Sequence, residues 1–207
     1  MLDTENLFDL EPDWGRNPQS EIMSPAETMR FYGLMYRERH QTYNDVRFTY
    51  TYFLTTKAKI QKLIDFFDGV RGRYGNFWFP TWTRDIVVTR PISSADVQLT
   101  IQDIGYQDFV AEESQMGRFL FFLPQGSSTP YLRKVDMDNT DGTTLTLESA
   151  IGFDCSASRL SNLLVCFLLY GRFDVDELSL KYVTNEAAYA TLTTIETANN
   201  YPEDLPT

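Results

Sequence analysis

Between Asp45 and Leu54 the sequence DVRFTYTYFL alternates. Val46, Phe48, Tyr50, Tyr52 and Leu54 fall on one face, and Arg47, Thr49 and Thr51 on the other. A period of two predicts a half-buried β-strand. The period then changes. Ile60, Leu63, Ile64 and Phe67 repeat at helical spacing, Phe66 widens the stripe, and Lys57, Lys59 and Lys62 line the wet side. This predicts an amphipathic helix. Thr55 or Thr56 serves as N-cap, since a threonine oxygen accepts from an unpaired amide of the first turn. Gly69 or Gly72 ends the helix in a left-handed C-cap.

Further along the pattern shortens. DIVVTRPI (85–92) predicts a strand, with Pro91 at its end or on an edge. VQLTI (97–101), GRFLFFLP (117–124), YLRKVDM (131–137) and TTLTLES (143–149) predict short strands separated by turns. Asp141-Gly142 is the hairpin signal between the last two. No helical period appears here, so residues 93–160 predict a small all-β module, a partly open barrel. LLVCFLLYGRF (163–173), ELSLKYV (177–183) and AAYATLTTIETA (187–198) predict three more strands, with a turn at 183–186. These have no obvious partners in the middle module. The economical arrangement returns them to the first module, which makes that domain discontinuous. Residues 1–25 contain Pro12, Pro18 and Pro25 with little periodicity and predict an extended arm, free or docked on a neighbouring subunit. The tail NNYPEDLPT predicts a loose end.

Composition narrows the function classes. The 207 residues fit one large domain or two small ones, and a hydrophobic fraction of 43% suffices for a core. Aromatics at 14% lean toward β structure. A net charge of −11, from 29 acids against 18 bases, argues against a footprint for nucleic acid or anionic lipid. The longest apolar run, LLVCFLLY, is too short to span a bilayer. The acidic N-terminus does not resemble a secretory leader, so synthesis and folding in a cytoplasm are expected. Cys155 and Cys166 match no metal or redox spacing and are expected as small buried hydrophobes.

Candidate chemistry is sparse. His40 is the only histidine and lies among charges, which favours a solvated side chain over a catalytic triad member. DMDNTDG (136–142) departs from a calcium loop, because Asp141 stands where glycine is needed and Leu147 where the closing acid belongs. GVRGRYG (69–75) follows a helix rather than opening one and has the wrong spacing for a nucleotide loop. The acid pairs Glu112–Glu113 and Asp174, Asp176 and Glu177 are expected as solvated loops. No catalytic residue, metal site or cofactor is expected.

The order of the signals carries more than any single motif. Trp14 follows an acidic, proline-bearing start. The strand with Arg47 runs into the helix KIQKLIDFFDGVRGRYG and then FWFPTWTRDI, with Pro80 and Trp82 two apart. DGTTLTLESAIGF closes the middle module, and LLVCFLLYGRFDVDELSLKYVTNEAAYATLTTIET completes the set. Over residues 12–198 this order resembles the tail proteins of long-tailed bacteriophages and gene transfer agents, in particular the distal tail protein group.

The resemblance implies a ring-forming structural protein, a hexamer at the virion tail tip. It would join the tail tube to the baseplate hub and receptor-binding apparatus, beside the tape-measure protein. DNA would pass through the lumen without being bound specifically, and no membrane insertion is implied. The implied fold is mainly β with one principal α-helix. A β-sandwich-like belt domain comprises residues 1–91 and 161–207, and an inserted small β-barrel-like domain, like an oligonucleotide-binding barrel in fold, comprises 92–160. The acidic arm is the one departure from the group.

A single belt domain is thin, so the helix 57–71 and segment 74–82 are expected at the seam between copies. The seam residues would be Ile60, Leu63, Phe67, Tyr74, Phe77, Trp78, Phe79 and Trp82, each large apolar side chain worth about 1.5–3 kcal/mol when covered. The alternative is that these residues fill the subunit's own core. The acidic charge would keep DNA from adhering to the lumen. Two other functions remain open on the sequence: a tail-tip hub or receptor-facing protein whose insert binds a host glycan or protein, and a tail-borne cell-wall hydrolase. The second needs a facing acid pair or a zinc site.

Overall fold

The computed structural model describes residues 6–13, 19–23, 26–31, 34–39, 45–106, 115–197 and 202. The fold is mainly β with one principal α-helix, of the β-sandwich-like kind. The strands in chain order are β1 (Gln19–Met23), β2 (Ala26–Phe31), β3 (Leu34–Arg39), β4 (Asp45–Leu54), β5 (Asn76–Pro80) and β6 (Gln98–Thr100). They continue with β7 (Phe119–Leu123), β8 (Tyr131–Lys134), β9 (Thr144–Thr146), β10 (Leu164–Phe173), β11 (Leu180–Tyr182) and β12 (Ala188–Glu196). The helix α1 is Lys57–Val70.

The chain divides into two compact units. A helix unit comprises Asp13–Gly75 and Gly171–Tyr201, and a barrel unit comprises Met1–Pro12, Asn76–Tyr170 and Pro202–Thr207. The expected boundaries at 91/92 and 160/161 are therefore not those of the compact units, which change at 75/76 and 170/171. The reason lies in the pairing of the barrel unit. The inserted strands need β10 and the stretch around 86–92 to complete their hydrogen bonds.

In the helix unit, β4 pairs antiparallel with β12 over eight residues, from Leu54 opposite Ala188 to Arg47 opposite Ile195. The alternation of β4 does what its sequence predicts. Phe48, Tyr50, Tyr52 and Leu54 are buried with Ala188, Ala190 and Leu192. On the opposite face Thr49 and Thr193 place their hydroxyls 3.0 Å apart. β11 pairs with Ala188–Ala190, and the last three residues of β10 pair with Thr194–Glu196, so both lie along the far edge of β12. Gly171 is required there, because a Cβ would stand 2.0 Å from the carbonyl oxygen of Ile195. On the other edge β1 pairs with Asp45–Thr49, a strand within what the sequence predicted as an extended arm. β2 and β3 form a separate antiparallel pair, which the periodicity did not announce.

The helix begins as predicted at Thr56, whose hydroxyl accepts from the Lys59 amide at 3.3 Å. Its end differs. Gly69 stays helical, Arg71 takes the left-handed conformation at φ 58°, and Gly72 follows at φ 58°. The Gly72 amide donates to the Phe67 carbonyl, closing the last turn. Ile60, Leu63, Phe67 and Val70 are buried, and Phe67 packs on Phe173 with centroids 5.2 Å apart.

In the barrel unit the pairings run full circle. β10 pairs with β7, β7 with β8, Val135 after β8 bridges Leu147 after β9, and β9 pairs with β6. Ile101 then bridges Val88, and the Ile86 amide returns to the Val165 carbonyl of β10. Closure of this kind leaves few open edges. The predicted strand 85–92 appears as an extended stretch held by single bridges at Val88 and Ile92. Its Pro91 lacks a donor, in keeping with a segment that forms no regular ladder.

Candidate functional site

The eight residues expected at a seam are the first to place. Ile60, Leu63, Phe67, Phe77, Trp78, Phe79 and Trp82 are all buried within the single chain, and only Tyr74 is exposed, at 69%. The seam assignment is corrected for those seven residues, which fill the subunit core. The sequence already contained the alternative: a strand buried on both faces reads as a continuous apolar run, and NFWFP is that strand, β5. Trp78 lies on one face, edge-on to Phe119 at 4.7 Å and beside Tyr170 at 5.1 Å. Phe77 and Phe79 lie on the other, where Phe77 meets Phe8 at 5.9 Å.

Phe8 belongs to the N-terminal segment. The Phe8 amide donates to the Trp78 carbonyl, and the Trp78 amide donates to the Asn6 carbonyl, both at 2.8 Å. Leu7 thus bridges Trp78 in parallel, with Phe8 and Leu10 buried. Residues 6–10 of the arm therefore dock on their own chain and cover the second face of β5, neither free nor on a neighbour.

The turn after β5 carries a part-buried polar cluster. Trp82 is held at φ 55°, a left-handed conformation that costs a bulky residue energy and persists only where its surroundings impose it. Asp85 imposes it. Its carboxylate accepts from the Thr81 hydroxyl, from the Thr83 hydroxyl at 2.5 Å and from the Phe167 amide at 2.9 Å. The Thr81 amide in turn donates to the Phe167 carbonyl at 3.0 Å. Burial pushes the Asp85 carboxyl above its ordinary range, and these three donors oppose the rise. The neighbouring Cys166 is buried, and desolvation with the Asp85 charge drives its thiol upward, away from nucleophilic character. Arg84 reaches the carbonyls of Ser161 and Leu163. The cluster fastens the turn to β10 and leaves Trp82 packed edge-on against Phe121, 5.3 Å away. Sequence reading passed over Asp85; the signal was an acid four residues after one threonine and two after another, behind a proline.

The other candidate acids serve local structure. Asp136 accepts from the Asp138 amide and the Asn139 side chain. Asp141 accepts from the amides of Thr143 and Thr144, which hold its carboxyl below the usual range. Asp174 pairs with Arg47 at 2.6 Å and Arg73 at 3.8 Å, and Asp176 with Arg73 at 3.8 Å. His40, Glu112 and Glu113 lie outside the described residues. Among the described residues no group of three or more His, Cys, Asp or Glu side chains could hold a metal ion. No helix among them is long and apolar enough to cross a membrane. A cleft of about 380 Å³ in the barrel unit is lined by Arg90–Ile92 and Ala95–Thr100, a set containing Arg90, Asp96 and Gln98 and no aromatic ring.

The charge is unevenly divided. By sequence the barrel unit holds 17 acids and 6 bases, whereas the helix unit holds 12 of each. The whole net charge of −11 therefore belongs to the barrel unit. No known protein-family model matches this chain, and no curated protein matches it.

Proposed function

We propose that this chain is a structural virion protein, a distal tail protein of a long-tailed bacteriophage or gene transfer agent. Copies of it form a ring at the tail tip that joins the tail tube to the baseplate hub and lets DNA pass. The observation that supports this reading is the split helix unit. β4 runs into α1, the chain leaves for a barrel-like insert of about ninety residues, and β12 returns to pair with β4 along eight residues. A sheet whose neighbouring strands β4 and β12 come from either side of the insert is a scaffold that tolerates one.

Two elements of the expectation change. The aromatic segment supplies subunit stability rather than contact area, so a ring must close through other surfaces. The neutral balance of the helix unit removes the reason to expect an acidic lumen if that unit lines it; repulsion of DNA would then need the barrel unit. The glycan-binding alternative gains nothing from the cleft at Arg90–Thr100, which lacks the aromatic platform such a site uses.

Negative-stain imaging of the full chain tests the reading. An annulus, six-fold in the closest form of the proposal, is the expected result. A uniform monomer at high concentration, together with absence of the chain from purified tails, would overturn it.

A further inference from the structure

The sheet of the helix unit ends in a short strand on either side, β1 and β11, and the outer edge of each pairs with no other described strand. The ladders between them show which backbone groups point outward. The Asp174 amide donates to the Thr193 carbonyl and the Val183 amide to the Ala187 carbonyl, so the odd-numbered residues of β12 bond away from β4 and the even-numbered ones toward it. Bonding direction alternates along each antiparallel strand. Arg47 and Thr49 of β4 therefore bond toward β1, where Glu21 and Gln19 stand opposite them. Lys181 likewise bonds inward, to Tyr189. The amides and carbonyls left pointing outward belong to Ser20 and Ile22 on one edge, and to Leu180 and Tyr182 on the other.

An open edge is a template for a further strand, and these two edges fit each other. β1 runs antiparallel to β4, β4 to β12 and β12 to β11, so β11 of one copy meets β1 of another in the antiparallel sense. With Ser20 opposite Tyr182 and Ile22 opposite Leu180, the outward groups of both edges satisfy one another. Glu21 then stands opposite Lys181, in the position between hydrogen-bonded pairs where side chains come closest. The register to β4 and β12 puts both on one face of the sheet, since Glu21 is level with Arg47 and Lys181, through Tyr189, with Phe53. Lys181 is exposed, and the Glu21 side chain is 65% exposed with Arg47 no nearer than 3.6 Å. A slip of two residues sets Lys181 against Gln19 or Met23, neither of which is charged.

We propose that β11 of one copy adds to β1 of a second copy, with Lys181 opposite Glu21. The contact joins two different edges of identical chains, so it repeats head-to-tail and closes when the rotation between copies divides the circle. The inference deepens the ring reading above and rests on it. The register suits closure. Each copy is offset from the last by the six positions from Arg47 to Phe53 for every four strands crossed. At about 3.3 Å per residue and about 4.8 Å per strand this is a strand tilt of about 45°, at the top of the roughly 35–45° range of closed barrels.

The test uses the full chain. The double variant Glu21→Cys/Lys181→Cys, mildly oxidised, should give a ladder of covalent oligomers on a non-reducing gel, and neither single variant should; the native Cys155 and Cys166 are buried. Tyr182→Pro removes an outward amide and leaves the ladder to β12 alone, so it should abolish self-association while circular dichroism stays unchanged. Lys181→Glu should weaken association about fivefold, and adding Glu21→Lys should restore it. In the unaltered protein, amide exchange at Ser20, Ile22, Leu180 and Tyr182 should slow as concentration rises. An annulus that forms without the disulfide ladder, or that ignores Tyr182→Pro, overturns this inference and leaves the ring reading intact. Dimers of the Glu21→Cys single variant would mean that β1 pairs with β1, and overturn it as well. A chain monomeric at every concentration, with no such slowing and no place in purified tails, counts against both.

Discussion

The two units of this chain solve the problem of burying apolar surface in different ways. The barrel unit curls its strands until the pairing closes, and fills both faces of β5 and β7 with large rings. The helix unit keeps a sheet with edges, buries one face, and leaves threonines, a stacked aromatic pair and an ion pair on the other. The closed unit carries the net charge, and the open-edged one carries none. The difference teaches where each function can reside. A self-satisfied barrel has little to gain from a partner except by its charge, whereas a sheet with short edges and exposed rings has contacts still to make.

The largest expected effect separates the units by core. Trp78→Ala removes a fully buried ring from between Phe119 and Tyr170. It should cost about 3–5 kcal/mol in chemical denaturation. Hydrogen exchange should show the loss in residues 76–170 first. If protection falls equally in β4 and β12, the two units unfold as one.

Gly171→Ala strikes the helix unit instead. The added methyl meets the Ile195 carbonyl, and the pairing of β10 with β12 must shift. A loss of about 1–3 kcal/mol is expected, with faster exchange in Ile195 and Glu196. A smaller cost would mean that β12 yields easily and that its register is not fixed by this approach.

Asp85→Ala leaves the Phe167 amide and two threonine hydroxyls without their acceptor. It should destabilise by about 1–3 kcal/mol and release Trp82 from its left-handed conformation, read as a change in tryptophan fluorescence. The pH dependence has a definite sign. Because the folded carboxyl titrates above its ordinary value of 3.8, the folded state holds the proton more tightly. This group's contribution therefore falls as pH rises from 3.8 through the raised value, as ionised Asp85 pays its desolvation. Wild type compared with the alanine variant across that window should show the slope, and its reversal would contradict the assignment of burial as the dominant cause.

The smallest effect uses charge alone. Lys57→Glu should stabilise the helix unit by about 0.3–1 kcal/mol in chemical denaturation, because the first turn of α1 holds no acid and the macrodipole favours one there. An unchanged or lowered stability would mean that the Thr56 cap alone governs this helix end.

Much of this was legible in the sequence where one physical signal ruled alone. The alternation from Asp45 to Leu54, the stripe of α1 and the Thr56 cap appear in the structure because local pattern and tertiary burial agree. The aromatic run was ambiguous for a definable reason. A strand covered on both faces has no alternation, and its second cover comes from Phe8, some seventy residues earlier in the chain. No local window holds that information. β1 escaped notice because its polar residues Gln19, Ser20 and Glu21 are exposed and gain their place only by pairing with β4. The Asp85 cluster escaped for the same reason, since its third donor, Phe167, lies across the unit. The stack of Phe53 on Tyr189 was invisible as well, since both look like ordinary strand residues until the register sets them side by side.

The most direct test of the account is sedimentation equilibrium of the full chain over a range of concentration. A closed assembly of several copies that forms as concentration rises is the result the account predicts. A chain that stays monomeric at every concentration, and is absent from purified tails, would contradict it.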